Sequence, residues 1–184
     1  MILLRHGESE FNQHFSVTRR DPGIRDPALT ERGRAQVEAV AGALAGMEIS
    51  RIIVSPYTRA LQTAAPLAGL LGVKVAVQPL VRERFAFTCD IGSPRSVLQE
   101  RWPEHDFAAL PEIWWPRANE PHDAVIGRAA RFRAEMAADR DAERCLVVSY
   151  WGFILALTGQ SVQNGVWVRC DPAAAPPLEL VWKP

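Results

Sequence analysis

Three short apolar runs constrain this chain most: "ILLRHG" (2–7), "RIIVSPYTRA" (51–60) and "CLVVSYWG" (145–152). Each ends in polar residues and leads into a turn or helix signal. Runs that are apolar on both sides of the pleat suit strands covered on both faces, the usual condition of a parallel sheet. Between the first two lies "DPALTERGRAQVEAVAGALAGM", where Thr30 can cap a helix carrying Ala35, Val37, Val40, Ala41 and Leu44 on one side. After the second run, Ser55 is the predicted N-cap and Pro56 the first helical residue of a helix through about Leu71, stopped at Gly72. "KVAVQ" (74–78) reads as a further short strand.

The segment 122–144 is a predicted helix with Val125, Ile126, Ala129, Phe132 and Met136 on one side and arginines on the other. "GFILALTG" (152–159) is a short helix ending at a glycine, and "GVWVRC" (165–170) and "LELVW" (178–182) are candidate strands. Strand and helix alternate, which predicts an α/β layered fold. The 184 residues are expected to form a single domain, with an irregular insertion at about 84–122. Within it "SPRSVLQERW" has helical character, and Trp114 and Trp115 form either a substrate wall or a small hydrophobic cluster under a loop.

The 21 basic and 21 acidic residues cancel, so no overall field favours nucleic acid or an acidic membrane surface. An anion site must be local. Cys89, Cys145 and Cys170 are odd in number and widely spaced, which argues against a disulfide framework and a zinc site and fits a reducing cytoplasm. No apolar run reaches the roughly 18 residues of a membrane span, and no leader precedes the first strand, so neither secretion nor membrane insertion is expected.

Ligands of open parallel sheets bind beyond the carboxyl ends of the strands. The residues there are Arg5 and His6, Ser55 and Arg59, and Ser149 and Tyr150. Two arginines, a histidine and a helix N-terminus describe a phosphate site rather than a metal site. A neutral imidazole can attack phosphorus, and Gly7 is expected to let the backbone approach the phosphate.

"RHGESEFN", "DPALTERGRAQ", "SPYTRALQTA" and "VVSYWGFILAL" together resemble the histidine phosphatase superfamily, with its phosphoglycerate-mutase-like fold. The resemblance implies a three-layer α/β fold, with a mostly parallel central sheet and helices on both faces. It implies that His6 is the nucleophile, that Arg5 and Arg59 hold phosphate, and that Ser9 and Asn12 are polar contacts on the substrate side. Glu83 matches the proton donor and acceptor, with Glu8 and Asp90 as competing carboxylates. No cofactor or metal is implied.

At the position where the family carries a second histidine, this chain has Tyr150. Tyrosine keeps a donor but not a charge, since its pKa is near 10, and its longer side chain is expected to place the hydroxyl in the phosphate pocket. His14, His105 and His122 lie outside the motif and are expected to be exposed. The implied function is a metal-independent phosphomonoester hydrolase working through phospho-His6 with reduced activity. Its partner is a small phosphorylated molecule or inorganic phosphate, and oligomeric state is not legible. The alternatives are a catalytically silent phosphate-binding module and, less favoured, a mutase.

Overall fold

The computed structural model describes residues 1–182. Five strands form one sheet: β1 (Ile2–Arg5), β2 (Arg51–Val54), β3 (Lys74–Val77), β4 (Cys145–Ser149) and β5 (Trp167–Arg169). Their spatial order is β3-β2-β4-β1-β5. The first four in that order are parallel, and β5 runs antiparallel along β1, with Leu3 opposite Val168. This is the mostly parallel α/β architecture expected from the apolar runs.

Alternation along each strand divides the core. Ile2, Leu4, Ile52, Val54, Leu146 and Val148 pack on one face against α2 (Glu31–Leu44) and α3 (Thr58–Leu71). Met1, Leu3, Ile53, Cys145 and Val147 pack on the other face against α5 (His122–Ala137) and α6 (Trp151–Thr158). Helices on both faces explain why the strands are apolar throughout. Two further helices are α1 (Glu10–Thr18) and α4 (Arg95–Arg101). Thr30 caps α2, accepting from the Gly33 N–H at 3.0 Å, as its position predicts.

Several boundaries differ from the sequence expectations. Helix α3 begins at Thr58, with Tyr57 rather than Ser55 at its N-cap and Pro56 before the helix. Its first turn is satisfied from a distant loop: Asp26 Oδ1 accepts from the Thr58 N–H at 2.9 Å and Oδ2 from the Thr58 hydroxyl at 2.7 Å. Helix α5 ends at Ala137, seven residues short of the predicted limit, and a 3₁₀ turn at Ala142–Arg144 leads into β4. "LELVW" forms no strand; Leu178 is fully exposed, and Pro176 and Pro177 before it lack the N–H groups a sheet edge needs.

Stretch 84–122 holds α4, a 3₁₀ turn at Thr88–Asp90 and irregular chain. His105 is buried there, its ring parallel to that of Trp102 at 6.0 Å and near Phe107, contrary to the expected exposure. Trp114 packs edge-on against Tyr57 at 4.6 Å and donates to the Ser93 carbonyl at 2.9 Å. Trp115 meets Trp114 at 5.5 Å. The tryptophan pair is therefore core beneath a loop, not substrate wall.

Candidate active site

A cavity of about 240 Å³ opens at the carboxyl end of β1, between the starts of α1, α5 and α6 and the 83–90 segment. Arg5, Ser9, Asn12, Arg59, Glu83, Arg84 and Asp90 are among its polar lining residues. Sequence reasoning placed five of these in the site and named Asp90 as a competitor.

His6 sits just behind this lining and is 3% exposed. The ladder holds its backbone, since its N–H donates to the Ser149 carbonyl at 3.1 Å. Its Nδ1 lies 2.6 Å from the Gly7 carbonyl. A carbonyl can only accept, so Nδ1 carries the proton and Nε2 keeps its lone pair. Burial first, then the charges of Arg59 and Arg5, hold the imidazole pKa well below the ordinary value of 6.5. The ring is a neutral base at pH 7.

Arg5 donates to the Val162 carbonyl at 2.7 Å, while its buried Nε has no partner among the described residues. Burial and the nearby Arg59 push its pKa down to about 10, against the attraction of Glu83. Arg59 is 3% exposed and donates to the Cys89 carbonyl at 2.8 Å and to Asp90 Oδ1 at 3.2 Å. Its guanidinium carbon lies 4.6 Å from the Tyr57 ring centroid and 4.8 Å from that of Tyr150, a cation–π arrangement. Burial opposes the Arg59 cation, but Tyr150, Cys89, Asp90 and Tyr57 together raise its pKa above the usual value.

Glu83 reaches the start of α6. Its Oε1 and Oε2 accept from the Gly152 N–H at 3.1 and 3.2 Å, and Oε1 accepts from the Arg84 N–H at 2.8 Å. A side chain at 152 would put a Cβ 2.5 Å from Glu83 Oε1, so glycine there lets the carboxyl dock. Burial, then the neighbouring Asp90, raises the Glu83 pKa above 4.5 despite those donors and Arg5. Glu8, the other competing carboxylate, instead binds Thr30 and Arg32 outside the cavity.

Ser9 and Asn12 line the cavity but also form the capping box of α1. Asn12 Oδ1 accepts from the Ser9 N–H, the Ser9 hydroxyl and Asn164 Nδ2 at 3.1, 2.9 and 3.2 Å. Gly7 has a different role from the one its sequence position suggests. It is absent from the lining, and a Cβ on it would collide with the Gly33 carbonyl oxygen; one on Gly33 would collide with the Glu8 carbonyl. The two glycines let the chain after β1 cross the first turn of α2.

Tyr150 is fully buried at the N-cap of α6. Its ring lies 5.0 Å from His6, but its hydroxyl donates to Ser55 Oγ at 3.1 Å. Tyr150 lines no part of the cavity, so the expectation that its hydroxyl occupies part of the phosphate pocket is not met. The serine it meets was predicted to cap a helix, and the internal bond is what holds the phenol away from the ligand side.

A profile of the histidine phosphatase superfamily (branch 1) matches residues 1–169. The chain belongs to the histidine phosphatase superfamily. It is 38% identical over 83 residues to a probable phosphoglycerate mutase, GpmB, of Photorhabdus laumondii, a match covering 45% of this chain and 37% of that protein. It is 33% identical over 152 residues to the bifunctional protein Rv2228c of Mycobacterium tuberculosis, covering 82% of this chain and 40% of that one. The matches thus span about two fifths of these relatives' length. The solved mycobacterial glucosyl-3-phosphoglycerate phosphatase Rv2419c, complexed with VO3, superposes with a TM-score of 0.63 at 24% identity over 91% of this chain and 88% of that chain. That likeness is one of fold.

What sequence reasoning missed in this superfamily member is the aromatic part of the cavity. Phe11, Phe15 and Phe87 form one group, with centroids 5.1–5.4 Å apart. His122, Trp151 and Trp182 form another: the His122 and Trp182 rings are parallel at 4.2 Å, and Trp151 meets Trp182 edge-on at 6.1 Å. The capping box "SEFN" was the available signal for α1 and hence for Phe11 and Phe15. The placement of Phe87, His122 and Trp182 depends on distant chain and had no local signal.

Proposed function

We propose that the chain is a metal-independent phosphomonoester hydrolase that works through a phosphohistidine on His6. The observation that carries this reading is the neutral His6 imidazole, with Nδ1 committed to Gly7, buried beside Arg5 and Arg59. Nε2 attacks phosphorus and the bond from phosphorus to the ester oxygen breaks. Glu83, whose protonated form is favoured by burial, gives its proton to the departing alcohol. Water then attacks the phosphorus of phospho-His6 and returns a proton to Glu83. The products are inorganic phosphate and neutral His6.

Arg5 and Arg59 stabilise charge on the nonbridging oxygens in both steps. Arg5 has an unpartnered Nε for this purpose, and Arg59 must exchange Asp90 for the phosphate or share itself between them. Ser9 and Asn12 contact the substrate side. Tyr150 follows β4 directly and packs on His6, which supports placing it where relatives carry a second histidine. With its hydroxyl on Ser55, it gives the phosphate no donor, so turnover is reduced rather than abolished. The chain works in the cytoplasm, where its three buried free cysteines stay reduced.

A second reading is a phosphate-binding module without turnover, favoured by the same displacement of the Tyr150 hydroxyl and by the Arg59–Asp90 pair. Release of phosphate from a panel of phosphomonoesters, measured beside His6→Ala, separates the two. Loss of release in the variant supports the hydrolase, and binding without release in either protein supports the module. Movement of phosphate between substrate positions without release would identify a mutase.

A further inference from the structure

We propose that the organic part of the substrate carries a flat aromatic ring, bound by the Phe11, Phe15, Phe87 and His122, Trp151, Trp182 groups beside the phosphate end. This rests on the hydrolase reading for which end of the cavity takes the phosphate. Six of the sixteen residues lining the cavity are aromatic, and they come from five separate parts of the chain. Phe87 is 37% exposed and His122 is exposed, so their rings are available rather than consumed in the core. Aromatic pairs gain from offset or edge geometry beyond simple area burial, and both groups already show rings in such relations.

The polar groups of the cavity argue in the same direction. A sugar or other polyol needs acceptors for its hydroxyl protons, and the side-chain oxygens of Asn12 and Asp90 are already engaged. Asn12 Oδ1 has three donors, and Asp90 Oδ2 accepts from the Ala86 and Phe87 N–H groups at 3.0 Å each. A hydroxyl that donates to these oxygens would have to displace one of those bonds, whereas a flat ring leaves them intact. The same Asp90 bonds fix the backbone at Phe87, so the aromatic surface is anchored to the ion pair at the phosphate end.

The test compares 2-naphthylmethyl phosphate, glycerol 3-phosphate and glucose 6-phosphate, all of which release a primary alcohol, so that leaving-group reactivity is nearly constant. The expected kcat/KM for the naphthyl ester is at least about tenfold above the other two, with the ratio falling in Phe87→Ala and in Trp182→Ala. Equal rates, or preference for a sugar ester, would overturn this inference and leave the hydrolase reading standing. If no ester is hydrolysed, that reading falls, and calorimetry with 2-naphthylmethylphosphonate against propylphosphonate decides the present one. Tighter binding of the naphthyl compound upholds it, and equal or undetectable binding of both overturns it.

Discussion

The Tyr150 hydroxyl donates to Ser55 Oγ at 3.1 Å while the Tyr150 ring lies 5.0 Å from His6. The residue beside the proposed nucleophile therefore spends its only polar group inside the protein. A donor that carries charge is worth about 1.5–3 kcal/mol. Tyr150→His restores an ionisable donor and is expected to raise turnover by about 10–100-fold in steady-state assays. Tyr150→Phe removes no donor from the cavity and should leave kcat within about threefold. A histidine variant no faster than the native protein would contradict this account of the slow site.

In the proposed mechanism Glu83 controls the alkaline side of the pH profile. As the proposed acid, Glu83 acts in its protonated form, and burial raises its pKa above 4.5, so activity is expected to fall as pH rises through that raised value. His6 must be neutral, and its depressed pKa moves the acid limb well below 6.5. Glu83→Gln should lose the alkaline limb, and should slow alkyl esters by about 10²–10⁴. Nitrophenyl phosphate, whose leaving group needs no proton, should slow much less. Equal slowing of both ester types would remove Glu83 from the role of acid.

The layer order was legible because it rests on local patterns: apolar runs at β1, β2 and β4, and the one-sided apolar spacing of α2 and α5. Arg5, His6, Arg59 and Glu83 were legible through motif and strand-end position. Partner choice was not. Ser55 looks like a cap in one dimension, but Asp26, far away in sequence, supplies the bonds to Thr58 and leaves Ser55 to Tyr150. Gly7 looks like a phosphate-loop glycine, yet its constraint is the crossing of Gly33. The aromatic cavity is assembled by the tertiary fold from residues as distant as Phe11 and Trp182.

The Arg59–Asp90 pair is almost wholly buried, with side chains 3% and 1% exposed. Removing one partner of such a pair leaves an uncompensated charge at a cost of about 3–5 kcal/mol. Asp90→Asn should lower stability by that order in urea unfolding. It also frees Arg59, so inorganic phosphate should raise the Tm of the variant more than that of the native protein. An equal or smaller phosphate effect would mean that Asp90 does not compete with the ligand for Arg59.

Glycine substitutions separate close approach from mere flexibility. Gly7→Ala drives a methyl into the Gly33 carbonyl and is expected to destabilise by about 1–3 kcal/mol. Gly42, inside α2, has open space around a built Cβ, and Gly42→Ala should stabilise by about 0.5–1 kcal/mol. Thermal unfolding of the two variants checks the contrast.

The central claim is that His6 accepts phosphate. Incubating the protein with a ³²P-labelled phosphomonoester, quenching in denaturant at alkaline pH and mapping the label tests it directly. The account predicts acid-labile, alkali-stable phosphate on His6, absent from His6→Ala and discharged as inorganic phosphate when unlabelled substrate is chased. Turnover that persists in His6→Ala, or label on any other residue, would contradict it.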